Sequence, residues 1–348
     1  MDAATVAANS RMSGSSFPIA ESALHYPQKF DSASDSVFFI SLSQEEYRKA
    51  SFLDDRVLAP GMESRWIRYS DVEAAMRQAS DGHPLHFIFH TGHVGSTLLS
   101  RLIAQASGVL GLREPLPLRV LAELQDQDAP QLDVRLATFL KLWRRGFADT
   151  THVVLKATSS SGRLATRLLR ASPVSQAVYL NLRAEPYLAT LLAGANAMVD
   201  LKGFAAERAS RLAGRFGISL PPWPTLSMGE LAAMSWAAES LTRAETKSVL
   251  GDRVLLVDFD SLLSDLPAGL AAVFAKFAIP SSDGFLAAIE KSAVLTRYSK
   301  APEHYAYSPA LRSQLLNQAR REHAAELNKG LWFLERLAKQ DSKVAAIL

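Results

Sequence analysis

The stretch from 85 to 103 reads LHFIFH (85–90), TGHVGST (91–97) and LLSRLI (98–103). The first segment is a short apolar run that predicts a buried strand, and the third begins an amphipathic helix. The turn between them holds two glycines beside two hydroxyl side chains. Because a strand, a glycine turn and a helix N-terminus together direct backbone N–H groups at an anion, this stretch predicts a phosphate-binding loop.

Further apolar runs at 152–156, 177–182 and 254–257 predict more strands, and helical patterns separate them. Strands that alternate with helices predict an α/β fold of three layers, α/β/α, with a mainly parallel central sheet. Ligands of such folds bind at the carboxyl ends of the strands. The residues that follow each run are therefore the candidates for a site.

The composition sets the class of protein. With 48% hydrophobic and 21% charged residues, the 348-residue chain is typical of a soluble globular protein with one large domain or two modest ones. It has no cysteine, which excludes disulfides and thiolate metal sites. The formal charge of +3 suits an anionic small ligand and is too small to indicate nucleic acid. We find no signal peptide and no apolar run of about 18–20 residues, so the sequence predicts a cytoplasmic protein without a membrane partner.

The domain organisation follows from shifts in composition. Residues 1–16 are rich in Ser and Ala and are predicted to be disordered. Residues 17–80 are expected to form an N-terminal extension packed on the main domain, in which Ser43 and Glu46 have the spacing of a capping box. Residues 81–345 are expected to form the α/β domain that carries the loop.

The loop differs from the triphosphate-binding pattern G-x-x-x-x-G-K-[ST] at two places. Ser96 stands where the lysine is expected, and His90 replaces the first glycine. That lysine normally reaches the β- and γ-phosphates, so its absence disfavours a standard ATPase or kinase. A single 5′-phosphate-type group needs less positive charge, and N–H groups, two hydroxyls and a helix N-terminus can supply it.

Three motifs resemble those of the sulfotransferases that use 3′-phosphoadenylyl sulfate (PAPS). Residues 93–97 (HVGST) resemble the family's 5′-phosphosulfate loop, [KR]-x-G-[ST]-[ST]. Residues 180–186 (LNLRAEP) resemble its second motif, in which an Arg and a later Ser hold the 3′-phosphate, and residues 254–263 (VLLVDFDSLL) resemble a strand followed by acidic residues. The resemblance covers roughly 85–300 and implies the P-loop NTPase-like fold of that family.

The resemblance implies PAPS as co-substrate and requires no metal. Arg183 and Thr190 match the 3′-phosphate residues, although Thr190 lies seven positions after Arg183 and the family's Ser usually lies about eight positions after. Lys300 is a further candidate for a phosphate contact. The remaining donor-binding candidates are the loop residues themselves: Gly92, His93, Val94, Gly95, Ser96 and Thr97.

The reaction implied is in-line transfer of a sulfuryl group to a hydroxyl or amine of a small-molecule or peptide acceptor. Glu114 follows the short apolar run at 109–112 and resembles the Glu that several branches use as a base. His93 stands where the family has a Lys or Arg, on the leaving-group side, and is the second catalytic candidate. Leu98 stands where the common cytosolic enzymes carry a Trp that stacks on adenine.

Each of these assignments has an ordinary structural alternative. Glu114 can instead pair with Arg113 or Arg119, Arg183 can be a surface residue, and Thr190 can pack within its helix. Two other functions stay open. One is a kinase or NTPase with Asp258 or Asp260 as the Mg²⁺-associated acid, and the other is a non-catalytic nucleotide-binding protein of the same fold. The acceptor is not legible, and a homo-oligomer is compatible with the sequence.

Overall fold

The apolar run at 85–90 forms a fully buried strand, as its sequence predicts. It belongs to a sheet with the strand order β5 (Val109–Arg113), β6 (His152–Lys156), β4 (Leu85–His90), β7 (Ala177–Asn181) and β8 (Val254–Asp258). β4 and β5 each run parallel to β6. The predicted three-layer α/β/α class with a mainly parallel central sheet is confirmed.

A computed structural model describes residues 17–194, 197–301 and 305–348; the expectation for residues 1–16 lies outside these ranges. The described residues form two compact units. The first comprises the residues up to Ile88 together with Thr97–Ala177, and the second comprises Phe89–Ser96 together with Val178–Leu348. The loop that follows β4 therefore belongs to the second unit up to Ser96.

The first unit also contains a three-stranded antiparallel sheet that the sequence did not predict in full. Its order is β1 (His25–Asp31), β2 (Ser36–Ser41) and β3 (Ser64–Arg68). Only β2 contains an apolar run of the kind that predicts a strand, at 37–40 (VFFI). β1 contains Pro27, which lacks an N–H donor, and the pairing register shifts between Pro27 and Lys29. An edge strand tolerates such a proline, so the residue that hides the strand in the sequence is compatible with its place in the sheet.

The helices of the first unit separate its strands. The first of them, α1, begins with the capping box predicted at Ser43 and Glu46, and both of its hydrogen bonds are present. The helices are α1 (Gln44–Lys49), α2 (Tyr69–Gln78), α3 (Ser96–Ile103, which starts at the last residue of the second unit), α4 (Pro117–Asp126), α5 (Leu132–Trp143) and α6 (Ala165–Ala171).

The second unit is mostly helical around β7 and β8. Its longest helix, Met228–Leu250, is capped at its N-terminus, where Ser227 and Glu230 form a capping box. The helices are α7 (Ala184–Ala193), α8 (Ala197–Gly203), α9 (Ala205–Gly214), α10 (Met228–Leu250), α11 (Phe259–Ser264), α12 (Leu266–Lys276), α13 (Asp283–Glu290), α14 (Pro309–Glu322), α15 (Ala324–Gln340) and α16 (Ser342–Ala345). In the described part of the chain, no helix combines the length and apolar character needed to cross a membrane.

A pair of histidines in the first unit makes its stability depend on pH. The rings of His86 and His152 stack with centroids 5.9 Å apart. Burial, reinforced by the charge of His152, lowers the pKa of His86 from 6.5 to about 4. The unfolded chain therefore binds more protons than the folded chain between these values, and stability falls as the pH falls through this window, by about 3 kcal/mol in total.

We expect His86→Gln to flatten this pH dependence, because the titrating group is gone. Urea unfolding at a series of pH values measures it. His323→Gln is the control, because it removes an imidazole that is only half-buried, whereas His86 is buried. A His86→Gln variant that loses stability towards acid as steeply as the unmodified chain would contradict the assignment.

Candidate phosphate-binding site

The loop after β4 has an unusual backbone. Gly92, His93 and Gly95 all have positive φ, at 93°, 53° and 74°. Val94 between them does not. A non-glycine residue at positive φ is uncommon, and successive residues with φ of alternating sign turn neighbouring N–H groups towards one concave side. The backbone of this loop thus forms the kind of cradle that binds anions.

The start of the loop is held in place by three hydrogen bonds within the second unit. The N–H of Thr91 donates to the carbonyl of Leu180 at the end of β7 (3.0 Å), and the N–H of Gly92 donates to Nδ1 of His90 (3.0 Å). The buried Tyr187 hydroxyl donates to the carbonyl of Thr91 (2.9 Å). These bonds fix the loop beside the carboxyl end of β7, where the sequence predicts the second motif.

The tip of the loop has polar groups without partners. Across residues 17–194, 197–301 and 305–348, no acceptor takes the backbone N–H groups of residues 93–97. The side-chain oxygens of Thr91 and Thr97 are also buried and unpaired in this part of the chain. The N–H groups of residues 96 and 97 are the free donors with which a helix begins, and buried hydroxyls are nearly always hydrogen-bonded. Free N–H groups beside two unpaired buried hydroxyls are typical of an anion site.

Gly95 is required by packing as well as by its backbone conformation. A Cβ placed there would lie 2.0 Å from Cε2 of the Phe259 ring. Phe259 is buried and opens α11, directly after the acidic residue that ends β8. The third sequence motif therefore supports the loop by packing against it.

His93 has a partner that the sequence did not indicate. Its Nε2 lies 3.4 Å from Oδ2 of Asp200 on α8, and Asp200 also contacts Nη2 of the buried Arg208 (3.3 Å). Burial alone would raise the pKa of Asp200, but the hydrogen bond from His93 and the charge of Arg208 outweigh it and lower that pKa to about 2. The imidazole is thus held by an ionised carboxylate.

The two predicted 3′-phosphate residues differ in availability. Arg183 is exposed at the N-cap of α7, and its guanidinium makes no hydrogen bond or ion pair in the described part of the chain. It follows Leu180, whose carbonyl accepts the bond from the loop, so Arg183 and the loop lie at the same end of β7. The hydroxyl of Thr190 donates to the carbonyl of Pro186 on its own helix (2.7 Å), which leaves only its acceptor capacity for a ligand.

Lys300 lies in an irregular segment of the second unit. The segment is closed by an isolated antiparallel bridge between Arg297 and Ala306. The side chain of Lys300 is half-buried and already interacts within the chain. Its assignment to a phosphate stays a prediction.

Glu114, the predicted base, belongs to the first unit. Its carboxylate pairs with the ammonium of Lys156, which is 1% exposed, and lies 4.0 Å from the guanidinium of Arg119. Glu114 also has a positive φ of 58°. This backbone conformation is sparsely populated for residues other than glycine, and such conformations occur often at functional positions. The sequence placed Lys156 at a strand end but did not pair it with Glu114.

Within the ranges that the structure describes, no three His, Asp or Glu side chains are arranged to hold a metal ion.

The chain was compared with known proteins. No family model matches it, and no curated protein matches it. Among solved structures it is similar to the sulfotransferase domain from the curacin biosynthetic pathway, at 16% identity and a TM-score of 0.40 over 75% of this chain and 98% of that one. It is also similar to the mouse sulfotransferase SULT7A1 complexed with PAP (11% identity, TM-score 0.41, 79% of this chain and 92% of that one). A third similar structure is the sulfotransferase STF9 from Mycobacterium avium (9% identity, TM-score 0.41, 73% of this chain and 80% of that one).

Proposed function

We propose that this chain is a sulfotransferase that moves a sulfuryl group from PAPS to a hydroxyl or amine of a small-molecule or peptide acceptor. The observation that carries the proposal is the loop at 91–97. The five N–H groups of residues 93–97 lack acceptors in the described part of the chain. An uncommitted arginine, Arg183, lies at the same end of β7. Together they suit a ligand with one phosphate-type group in the loop and a second beside Arg183.

The charge of the loop favours this donor over a nucleoside triphosphate. The loop has one ionisable cation, the imidazole of His93, where a triphosphate site has a lysine. Hydrogen bonds from backbone N–H groups to an anionic oxygen are strong and need no side-chain charge. A single phosphosulfate group is therefore better matched to the loop than a chain of three phosphates with its metal ion.

In the proposed sulfuryl transfer, the loop and His93 act on the leaving group and Glu114 acts on the acceptor. The acceptor oxygen or nitrogen forms a bond to sulfur while the bond from sulfur to the bridging oxygen breaks, and the electron pair stays on the 5′-phosphate. The loop N–H groups and His93 stabilise the charge that develops on that phosphate. Glu114 takes the proton of the acceptor, and its pairing with Lys156 holds its carboxylate in place.

The proposal is tested by supplying PAPS with a metabolite extract and searching by mass spectrometry for products that gain a sulfuryl group. Transfer that requires both PAPS and the intact chain supports it. Glu114→Gln and a heat-inactivated sample provide the background. Consumption of Mg-ATP with no sulfated product would favour the kinase alternative instead.

Arg183→Ala makes a sharper prediction about the donor. We expect it to weaken the binding of adenosine 3′,5′-bisphosphate about 10- to 100-fold, because a charge-assisted hydrogen bond to the 3′-phosphate is lost. The binding of adenosine 5′-monophosphate, which lacks that phosphate, should change by less than about threefold. Calorimetric titration measures both ligands, and Arg321→Ala, an exposed arginine on α14, is the control. Equal losses for both nucleotides would remove Arg183 from this role.

A further inference from the structure

The contact between His93 and Asp200 ties the loop to a charged cluster in the second unit. Asp200 is backed by Arg208, whose side chain is 1% exposed and whose Nε lies 3.7 Å from the buried Glu239. Glu239 in turn binds Arg211 (2.7 Å). The cluster therefore runs from the loop through α8 and α9 to α10.

The cluster carries more negative than positive charge without the imidazole. Asp200, Glu239 and the half-buried Glu207, which pairs with Arg211 (3.0 Å), supply three negative charges. Arg208 and Arg211 supply two positive charges. Burial keeps the nearby Tyr187 neutral, since it raises the pKa of that hydroxyl. A neutral His93 consequently leaves the loop without a positive charge from this cluster, and only a protonated His93 supplies one to a ligand.

We propose that Asp200 is a positioning residue that fixes the ring of His93 through Nε2, so that the cation of this loop is a His–Asp pair whose strength depends on pH. The proposal rests on the function proposed above. Asp200 engages Nε2 of the ring, which leaves Nδ1 as the ring nitrogen available to a ligand. Nδ1 is a donor to a phosphate oxygen only when the ring is protonated, because the neutral ring with its proton on Nε2 presents an acceptor there.

A second imidazole at the loop behaves differently. Nδ1 of His90 accepts the N–H of Gly92, so this nitrogen must be unprotonated while the loop keeps its shape. Protonation of His90 would therefore weaken the loop conformation and with it the binding of the ligand at low pH. Protonation of His93 instead strengthens the binding of the ligand. The two imidazoles make opposite contributions to the pH dependence of binding.

The test is calorimetric titration of the full chain with adenosine 3′,5′-bisphosphate at about pH 6.5 and about pH 8. When binding is linked to the uptake of one proton, the dissociation constant changes by up to about tenfold per pH unit. We expect the unmodified chain to bind about tenfold more tightly at the lower pH. Asp200→Asn should remove most of this difference by losing affinity mainly at the lower pH.

His93→Lys separates positioning from structure, because a lysine is charged at both pH values. We expect its affinity to be nearly the same at both, apart from the titration of the ligand's own phosphates near pH 6. In the His93→Lys background, Asp200→Asn should have little further effect. Glu245→Gln, which removes a carboxylate paired with Arg215 on another part of the unit, is the matched control.

The outcomes distinguish the two proposals. If the folded, unmodified chain binds the nucleotide at neither pH, the proposed function fails and this inference fails with it. If it binds but Asp200→Asn keeps the unmodified pH profile, this inference alone is overturned. It is also overturned if Asp200→Asn lowers affinity equally at both pH values and does so again in the His93→Lys background, since that is the behaviour of a purely structural residue.

Discussion

Gly95→Ala should destabilise the second unit by about 2–5 kcal/mol and abolish nucleotide binding. The left-handed conformation costs a residue with a Cβ about 1–2 kcal/mol. The new methyl group would also overlap the buried ring of Phe259, 2.0 Å away, which adds an overpacking cost of about 1–3 kcal/mol. Urea unfolding gives the stability, and titration with adenosine 3′,5′-bisphosphate gives the binding.

Gly217→Ala is a matched control for this prediction. Gly217 has a φ of 73°, almost that of Gly95, but a Cβ there would meet nothing within 4 Å. It should therefore show the cost of the backbone conformation alone. The double variant Gly95→Ala with Phe259→Leu should lose less unfolding free energy than the two single variants lose in sum, because the smaller side chain makes room for the methyl group. Strict additivity would contradict the contact between the loop and α11.

Glu114→Gln should have two separable effects. Turnover should fall about 100-fold or more if Glu114 is the base, with little change in donor affinity. Stability should fall by about 3 kcal/mol, because Lys156 is left as a buried charge without its carboxylate. Turnover is measured as sulfated product formed per folded molecule, and stability by urea unfolding.

The variant Glu114→Gln with Lys156→Met distinguishes these effects. Removing both charges avoids an unpaired buried ion, so the double variant should recover much of the lost stability. Its turnover should stay low. If the double variant regains turnover along with stability, Glu114 acts only as the partner of Lys156 and another group is the base.

The sequence predicts the loop and its supporting sheet well, because the features that form them are local. An apolar strand, a glycine turn and a helix start lie within residues 85–103, and their order alone determines where the N–H groups point. The place of Arg183 just beyond the end of β7 was predictable for the same reason, and its role at a phosphate stays a prediction. In each case the position along the chain defines the position in the fold.

The partners of the site residues could not be predicted, because they depend on contacts between distant segments. Nothing near Asp200 in the sequence marks it as the residue that meets His93. Lys156 resembles an ordinary strand end until the fold buries it beside Glu114. The antiparallel strand β1 was hidden by its proline.

The most direct test of the account is a calorimetric titration of the unmodified chain with two nucleotides. We expect tight binding of adenosine 3′,5′-bisphosphate that is the same with and without magnesium, and much weaker binding of ATP. A preference for ATP in the presence of magnesium, or no binding of either nucleotide by the folded chain, would contradict it.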